Sequence, residues 1–147
     1  MAVSPLHILL VDDDPDDLLL FKEAIASFEI RSELLLFACG EAFIAHLNAT
    51  DTIPDLIFLD MKMPKIDGLE CLRQIRKTPE WQDAIVAIYS NFTAEDLIEN
   101  TFSEGANIYI EKPEDLQKLK KVLKKVLQVN WQYHTSNLNR SNFLLRT

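Results

Sequence analysis

Apolar residues along the chain fall into two alternating patterns. Short, nearly continuous runs at Leu6–Val11, Leu34–Ala38, Leu56–Leu59, Ala84–Tyr89 and Asn107–Ile110 have the length and hydrophobicity of strands buried on both faces of a parallel sheet. Between them, apolar positions recur every three or four residues. Leu18, Phe21, Ile25 and Phe28 form one such stripe, Phe43, Ile44 and Leu47 a second, and Leu116, Leu119, Val122, Leu123, Val126 and Leu127 a third. That spacing predicts helices with one face turned to a core.

The boundaries agree with this reading. Asp14 before Pro15 predicts an N-cap, with Asp16 and Asp17 in the first turn, where the helix dipole favours negative charge. Gly40 closes the second strand, and Glu41 to Asn48 forms a short helix. Pro64 and Asp67-Gly68 mark the turn into a helix from about Leu69 to Lys77, which Thr78-Pro79 stops. Thr93 and Asp96 read as a capping box for a fourth helix that Gly105 terminates, and Pro113 opens a last helix from Glu114 to about Val129. Five strands alternating with five helices predict an α/β fold, a doubly wound five-stranded parallel sheet with helices on both faces.

Composition narrows the class. A chain of 147 residues, 48% hydrophobic and 26% charged, suits one domain with a full core, and its 3 glycines and 6 prolines leave no room for a long flexible linker. The longest apolar run, Leu34 to Cys39, is far shorter than the ~18 residues of a membrane span, and the N-terminal apolar stretch stops at once in acids, unlike a signal peptide. A cytoplasmic protein without a membrane partner is expected. The net charge of −8 disfavours direct contact with nucleic acid and favours protein partners or small cations. Cys39 and Cys71 are too few and too distant for a disulfide framework or a zinc site, and His7, His46 and His134 have no ligand spacing.

The candidate chemistry lies at the carboxyl ends of the strands, where open α/β sheets place their ligands. The first run ends in Asp12-Asp13-Asp14-Pro15-Asp16-Asp17; the last three acids have capping or dipole roles, but Asp12 and Asp13 have none. Two carboxylates about 4 Å apart repel by about 4 kcal/mol at an effective dielectric of 20, so this pair calls for a cation. The third run delivers Asp60, the fourth Ser90, and Lys112 follows the fifth.

The motifs Val11-Asp12-Asp13-Asp14-Pro15, Leu59-Asp60-Met61-Lys62-Met63-Pro64 through Glu70, Ser90, and Gly105 through Lys112-Pro113 occur in an order that resembles the receiver domain of two-component response regulators. The likeness covers residues 6 to about 129. It implies the flavodoxin-like strand order 2-1-3-4-5, which sets the first and third strands side by side. It further implies that Asp60 accepts a phosphoryl group from a sensor histidine kinase, a phosphotransfer protein or a small acyl phosphate. Mg²⁺ would be held by Asp12, Asp13, Asp60 and the backbone carbonyl of Lys62. Lys112 and Ser90 would contact the phosphoryl oxygens, with Ser90 and Tyr109 as the switch pair. The implied protein is a phosphoacceptor switch, not an enzyme, that signals through contacts with a downstream protein.

Some positions depart from the family. Ser90 stands where threonine is commoner, retaining the hydroxyl, and Asn91 follows where a small residue is usual. Lys62 and Phe92, each two residues beyond Asp60 and Ser90, are bulky at positions that modulate water attack in this family, so slow autodephosphorylation is expected. Residues 130–147, with Trp131, Tyr133, His134, Phe143 and Leu144, are too few for a DNA-binding output module, so a receiver over 1–129 with a tail is expected. That tail either packs back on the domain or builds a homodimer contact. Lys118, Lys120, Lys121, Lys124 and Lys125 line one side of the last helix, as a solvated face or a dock for an acidic partner. Two other chemistries fit poorly. A flavodoxin-like carrier needs a phosphate-cradling loop where this chain has Asp-Asp-Asp-Pro, and a haloacid-dehalogenase-type phosphatase needs an acid where it has Lys62. A receiver-like module that is never phosphorylated stays open at this point.

Overall fold

A computed structural model describes residues 5–128 and 143–145. Strands β1 (Leu6–Val11), β2 (Ser32–Phe37), β3 (Leu56–Leu59), β4 (Ile85–Ser90) and β5 (Ile108–Glu111) alternate with helices α1 (Pro15–Ala26), α2 (Gly40–Ala49), α3 (Gly68–Lys77), α4 (Glu95–Ser103) and α5 (Leu116–Gln128). Leu144–Leu145 adds a short β6. All pairings are parallel, in the order β2-β1-β3-β4-β5-β6. The doubly wound sheet and its 2-1-3-4-5 core are therefore as expected, with one strand added at the β5 edge. A two-residue strand carries too little periodicity to be read from sequence.

Alternation along the strands divides the core. Leu9, Val11, Ile57 and Leu59 face one cluster, which buries Phe43, Leu47, Leu72, Ile75 and Ile98 from α2, α3 and α4. Ile8, Leu10 and Phe58 face the other, which buries Phe21 and Ile25 of α1 with Leu119, Val122, Leu123 and Val126 of α5. Every residue of β3 is buried, as expected of a central strand with helices on both faces. Lys118, Lys121, Lys124 and Lys125 point to solvent on α5.

Several helix ends follow their residues. Asp14 Oδ1 accepts from the Asp16 N–H at 2.9 Å, and Asp67 Oδ1 accepts from the Glu70 N–H at 2.9 Å. The Thr93–Asp96 capping box does not form. Ala94 occupies the cap of α4 without a side-chain bond, because the helix begins one residue too late for the Thr93 hydroxyl to serve it. α5 also begins after the expected Glu114, with Asp115 Oδ1 accepting from the Lys118 N–H at 2.9 Å.

Two features anchor the sheet's ends. At the carboxyl end, a Cβ on Gly68 would lie 2.2 Å from the Asp60 carbonyl oxygen, so the loop after β3 can close this tightly only on glycine. At the amino end, Arg76 in the last turn of α3 donates to the carbonyls of Gly105, Gln82 and Ala84 and to Asn107 Oδ1, at 2.7–3.1 Å. At the β5 edge, the Tyr109 N–H donates to the Phe143 carbonyl at 2.9 Å, and the Phe143 ring is buried against Tyr109 and Phe102. The end of the tail thus packs back on the domain, whereas Trp131, Tyr133 and His134 lie outside the described residues.

Candidate functional site

Strand register brings the polar residues together. Val11 pairs with Leu59, so Asp12 and Asp60 leave adjacent strands side by side, and the Asp60 N–H donates to the Val11 carbonyl at 2.9 Å. The Lys112 N–H donates to the Ser90 carbonyl at 2.9 Å, which fixes the fourth and fifth strand tips in the same way. Carboxylate oxygens of Asp12, Asp13 and Asp60 all lie within 4.8 Å of one another. Asp12 and Asp60 are buried and Asp13 is exposed, so the cluster has a closed floor and an open side.

The carboxylates outnumber their donors. Asp12 Oδ1 accepts from the Asp14 N–H at 3.0 Å, whereas Oδ2 lies 2.9 Å from Lys112 Nζ without an aligned hydrogen bond and is buried. Burial raises the Asp12 carboxyl above the usual carboxylate range, against the pull of the Asp14 N–H and Lys112. Burial likewise pushes Asp60 up to about 7; Lys112 opposes the shift and the neighbouring Asp12 adds to it. Burial works against the charge on Lys112, yet the hydrogen bond to Asp17 and the adjoining Asp12 carboxylate outweigh it and hold the ammonium protonated. Lys112 Nζ lies 3.6 Å from Asp60 Oδ1 and 5.4 Å from the centroid of the Tyr89 ring.

Ser90 is buried, and its Oγ accepts from the Phe92 N–H at 3.0 Å, which leaves its own proton to donate. Tyr109 is fully buried, with its hydroxyl donating to the Phe92 carbonyl. Burial raises the Tyr109 phenol above its usual range, with Ser90 opposing through a hydrogen bond. Lys62 lies on the loop after β3, where its carbonyl accepts no backbone hydrogen bond among the described residues. Its Nζ stands 5.5 Å from the centroid of the exposed Phe92 ring. Asp12, Asp13, Asp60, Ser90 and Lys112 thus meet at neighbouring strand ends, and Tyr109 is tied to the loop after Ser90 through Phe92.

One residue's part in the site was not legible in the sequence. Asp17, which the pattern assigns to the dipole of α1, has its Oδ2 2.7 Å from Lys112 Nζ across a separation of 95 residues. Only its place in the first turn after the acidic strand tip hinted that it faces the pocket.

The donor set fits a hard divalent cation. Three carboxylates offer oxygen only, and a buried Asp12 oxygen has no hydrogen bond, so a small dication would relieve a repulsion that Lys112 alone does not balance.

Comparison with known proteins gives the same picture. The family model described as response regulator receiver domain matches residues 8–124. Response regulator Rcp1 of Synechocystis sp. is 31% identical over 124 residues, spanning 81% of this chain and 84% of its own. A crystal structure of Mn²⁺-bound Rcp1 is similar at a TM-score of 0.75 and 30% identity, covering 83% of this chain and 91% of that one. The phosphorylated cyanobacterial phytochrome response regulator RcpA is similar at a TM-score of 0.78 and 29% identity, covering 92% of this chain and 98% of that one.

Proposed function

Because the chain belongs to the response regulator receiver family, and is the receiver domain of a two-component response regulator, we propose that Asp60 is its phosphoacceptor. The observation that carries this reading is the convergence of Asp12, Asp13, Asp60 and Lys112 at neighbouring strand ends. A carboxylate oxygen of Asp60 attacks the phosphorus of a phosphohistidine or acyl phosphate. The new P–O bond forms as the bond from phosphorus to the donor's nitrogen or oxygen breaks, and the donor leaves with that electron pair.

Asp12, Asp13, Asp60 and the Lys62 carbonyl would hold the divalent cation, Mg²⁺ in our reading, which when bound supplies positive charge to the transferring phosphoryl oxygens. Lys112 adds a point charge to the same oxygens, and the Ser90 hydroxyl turns to donate its proton to one of them. Movement of Ser90 toward that oxygen disturbs the Phe92 segment, on which the Tyr109 hydroxyl rests. Tyr109 therefore couples the pocket to the surface made by α4, β5 and α5, where a downstream protein, or a second copy of the chain, binds according to phosphorylation state.

Receivers of this kind are signalling switches that work with histidine kinases and downstream targets. We assign this chain the same role in the cytoplasm, with no turnover beyond forming and losing its own phosphoryl group. No helix among the described residues is long and apolar enough to cross a membrane.

Incubation with Mg²⁺ and an acyl phosphate should add one phosphoryl group by intact mass, and Asp60→Asn should abolish the addition. Labelling that survives the substitution, or never occurs in the native chain, would sink the assignment.

A further inference from the structure

Lys112 is only 5% exposed along its side chain, yet its nearest carboxylate is not the phosphoacceptor. Asp17 Oδ2 lies 2.7 Å from Nζ, Asp12 Oδ2 2.9 Å and Asp60 Oδ1 3.6 Å. Asp17 stands on α1, outside the three-carboxylate cluster, and is itself 24% exposed. Its place in the first turn does not explain the contact. Asp16, in the same turn, meets the dipole's preference for negative charge while remaining in solvent. What distinguishes Asp17 is its direction, toward a buried ammonium that α5 and β5 bring from the far end of the chain.

The ammonium and a divalent cation compete for the same oxygens. A charge drawn wholly onto Asp12 and Asp60 would fill the space that a cation must enter. A flexible four-carbon stem lets Nζ settle wherever the surrounding carboxylates hold it. Asp17 holds it to one side.

We propose that Asp17 is a positioning residue, which keeps the Lys112 ammonium on the α1 side of the pocket and away from Asp60, leaving the face made by Asp12, Asp13 and Asp60 open to a divalent cation. The assignment rests on the receiver reading of that pocket. Without the Asp17 charge, Nζ moves onto Asp12 and Asp60 and the cation binds less tightly.

The test is titration of Mn²⁺ into the full chain, with the free ion followed by its electron paramagnetic resonance signal. It compares the native protein, Asp17→Asn, Asp17→Glu, Lys112→Ala and the Asp17→Asn/Lys112→Ala double variant, each checked for a native circular dichroism spectrum. Asp17→Asn should weaken Mn²⁺ binding at least fivefold, and Asp17→Glu, which keeps the charge, should return it to within twofold of native. In the Lys112→Ala background the Asp17→Asn change should shrink to under twofold, because a residue acting through Lys112 has nothing left to position.

An equal loss in both backgrounds would show that Asp17 acts only as one more negative charge and would overturn the proposal. So would unchanged affinity in Asp17→Asn. A native protein that binds no Mn²⁺ at millimolar concentration would defeat the cation reading of the pocket itself. Tight native binding without the Lys112 coupling would defeat only the role of Asp17.

Discussion

Two cationic side chains stand at opposite ends of the sheet, and they are held in opposite ways. Arg76, at the amino end, gives its guanidinium N–H groups to three backbone carbonyls and one amide oxygen, all neutral and all fixed by the turns that carry them. Lys112, at the carboxyl end, stands among the carboxylates of Asp12, Asp17 and Asp60, with Asp13 close by. The first cluster is closed: every partner is neutral and the donors have acceptors. The second holds more negative charge than one ammonium balances, and one Asp12 oxygen is buried without a hydrogen bond. Satisfied polar groups stabilise a fold, whereas a surplus of like charge is tolerated where something else arrives to complete it.

The largest expected effect tests the closed end. Arg76→Ala removes the side-chain donors to the Gly105, Gln82 and Ala84 carbonyls, while Asn107 Oδ1 keeps the Val86 N–H, and should cost about 3 kcal/mol, the scale of several lost charge-assisted hydrogen bonds at a part-buried site. By thermal melting that is a fall of about 10 °C in a domain of this size. At temperatures where the variant is folded, Asp60 should label with an acyl phosphate at the native rate. A variant that melts normally but labels poorly would break the division between the two ends.

The next effect comes from the other cation. Lys112→Ala should slow labelling of Asp60 about 100-fold, the usual scale for removing one preorganised charge from a reacting oxyanion. It should also destabilise the cation-free protein, since Asp12 and Asp60 lose their buried counter-charge, and millimolar Mg²⁺ should recover most of that loss. Labelling measured with melting curves in the presence and absence of Mg²⁺ checks both statements. A loss of stability that Mg²⁺ does not repair would make Lys112 structural, like Arg76.

A smaller effect, of opposite sign, sharpens the contrast. Asp60→Asn removes one carboxylate from a crowded buried cluster and should stabilise the cation-free protein by about 1 kcal/mol, or about 2–4 °C in melting temperature. Mg²⁺ should erase or reverse the difference, because it stabilises the native cluster more than the variant. A destabilised Asp60→Asn protein without cations would mean that the cluster is already balanced.

The two ends also differ in how much of them the sequence discloses. Asp12, Asp13, Asp60, Ser90 and Lys112 were legible because each sits at the end of an apolar run, and the strand order implied by the family resemblance sets those ends side by side. Arg76 was not, since its partners are backbone carbonyls whose positions exist only after the turns around Gln82 and Gly105 have formed. Asp17 was half legible: its helix position followed from Pro15, but its partner lies 95 residues away. The same reason explains β6. Phe143 and Leu144 are recognisably apolar, but nothing local says that they close on Tyr109 rather than on another chain.

The smallest effect concerns the rim of the open end. Lys62 and Phe92 stand on the loops after β3 and β4, two residues beyond Asp60 and Ser90, with the ammonium 5.5 Å from the ring centroid. An exposed contact of this kind is weak, and its worth here lies in what it obstructs. Once Asp60 is phosphorylated as proposed, water must approach phosphorus from the side opposite the Asp60 oxygen, and the places of these two side chains predict that they hinder it. Lys62→Ala or Phe92→Ala should therefore shorten the phosphoryl half-life about threefold, the rate equivalent of one such contact, while labelling at Asp60 still occurs. The native phosphoryl group should persist for minutes, followed by intact mass after the donor is removed. Loss within seconds in the native chain, or unchanged half-lives in both variants, would mean that the rim does not govern access and that the surplus charge beneath it is open to solvent.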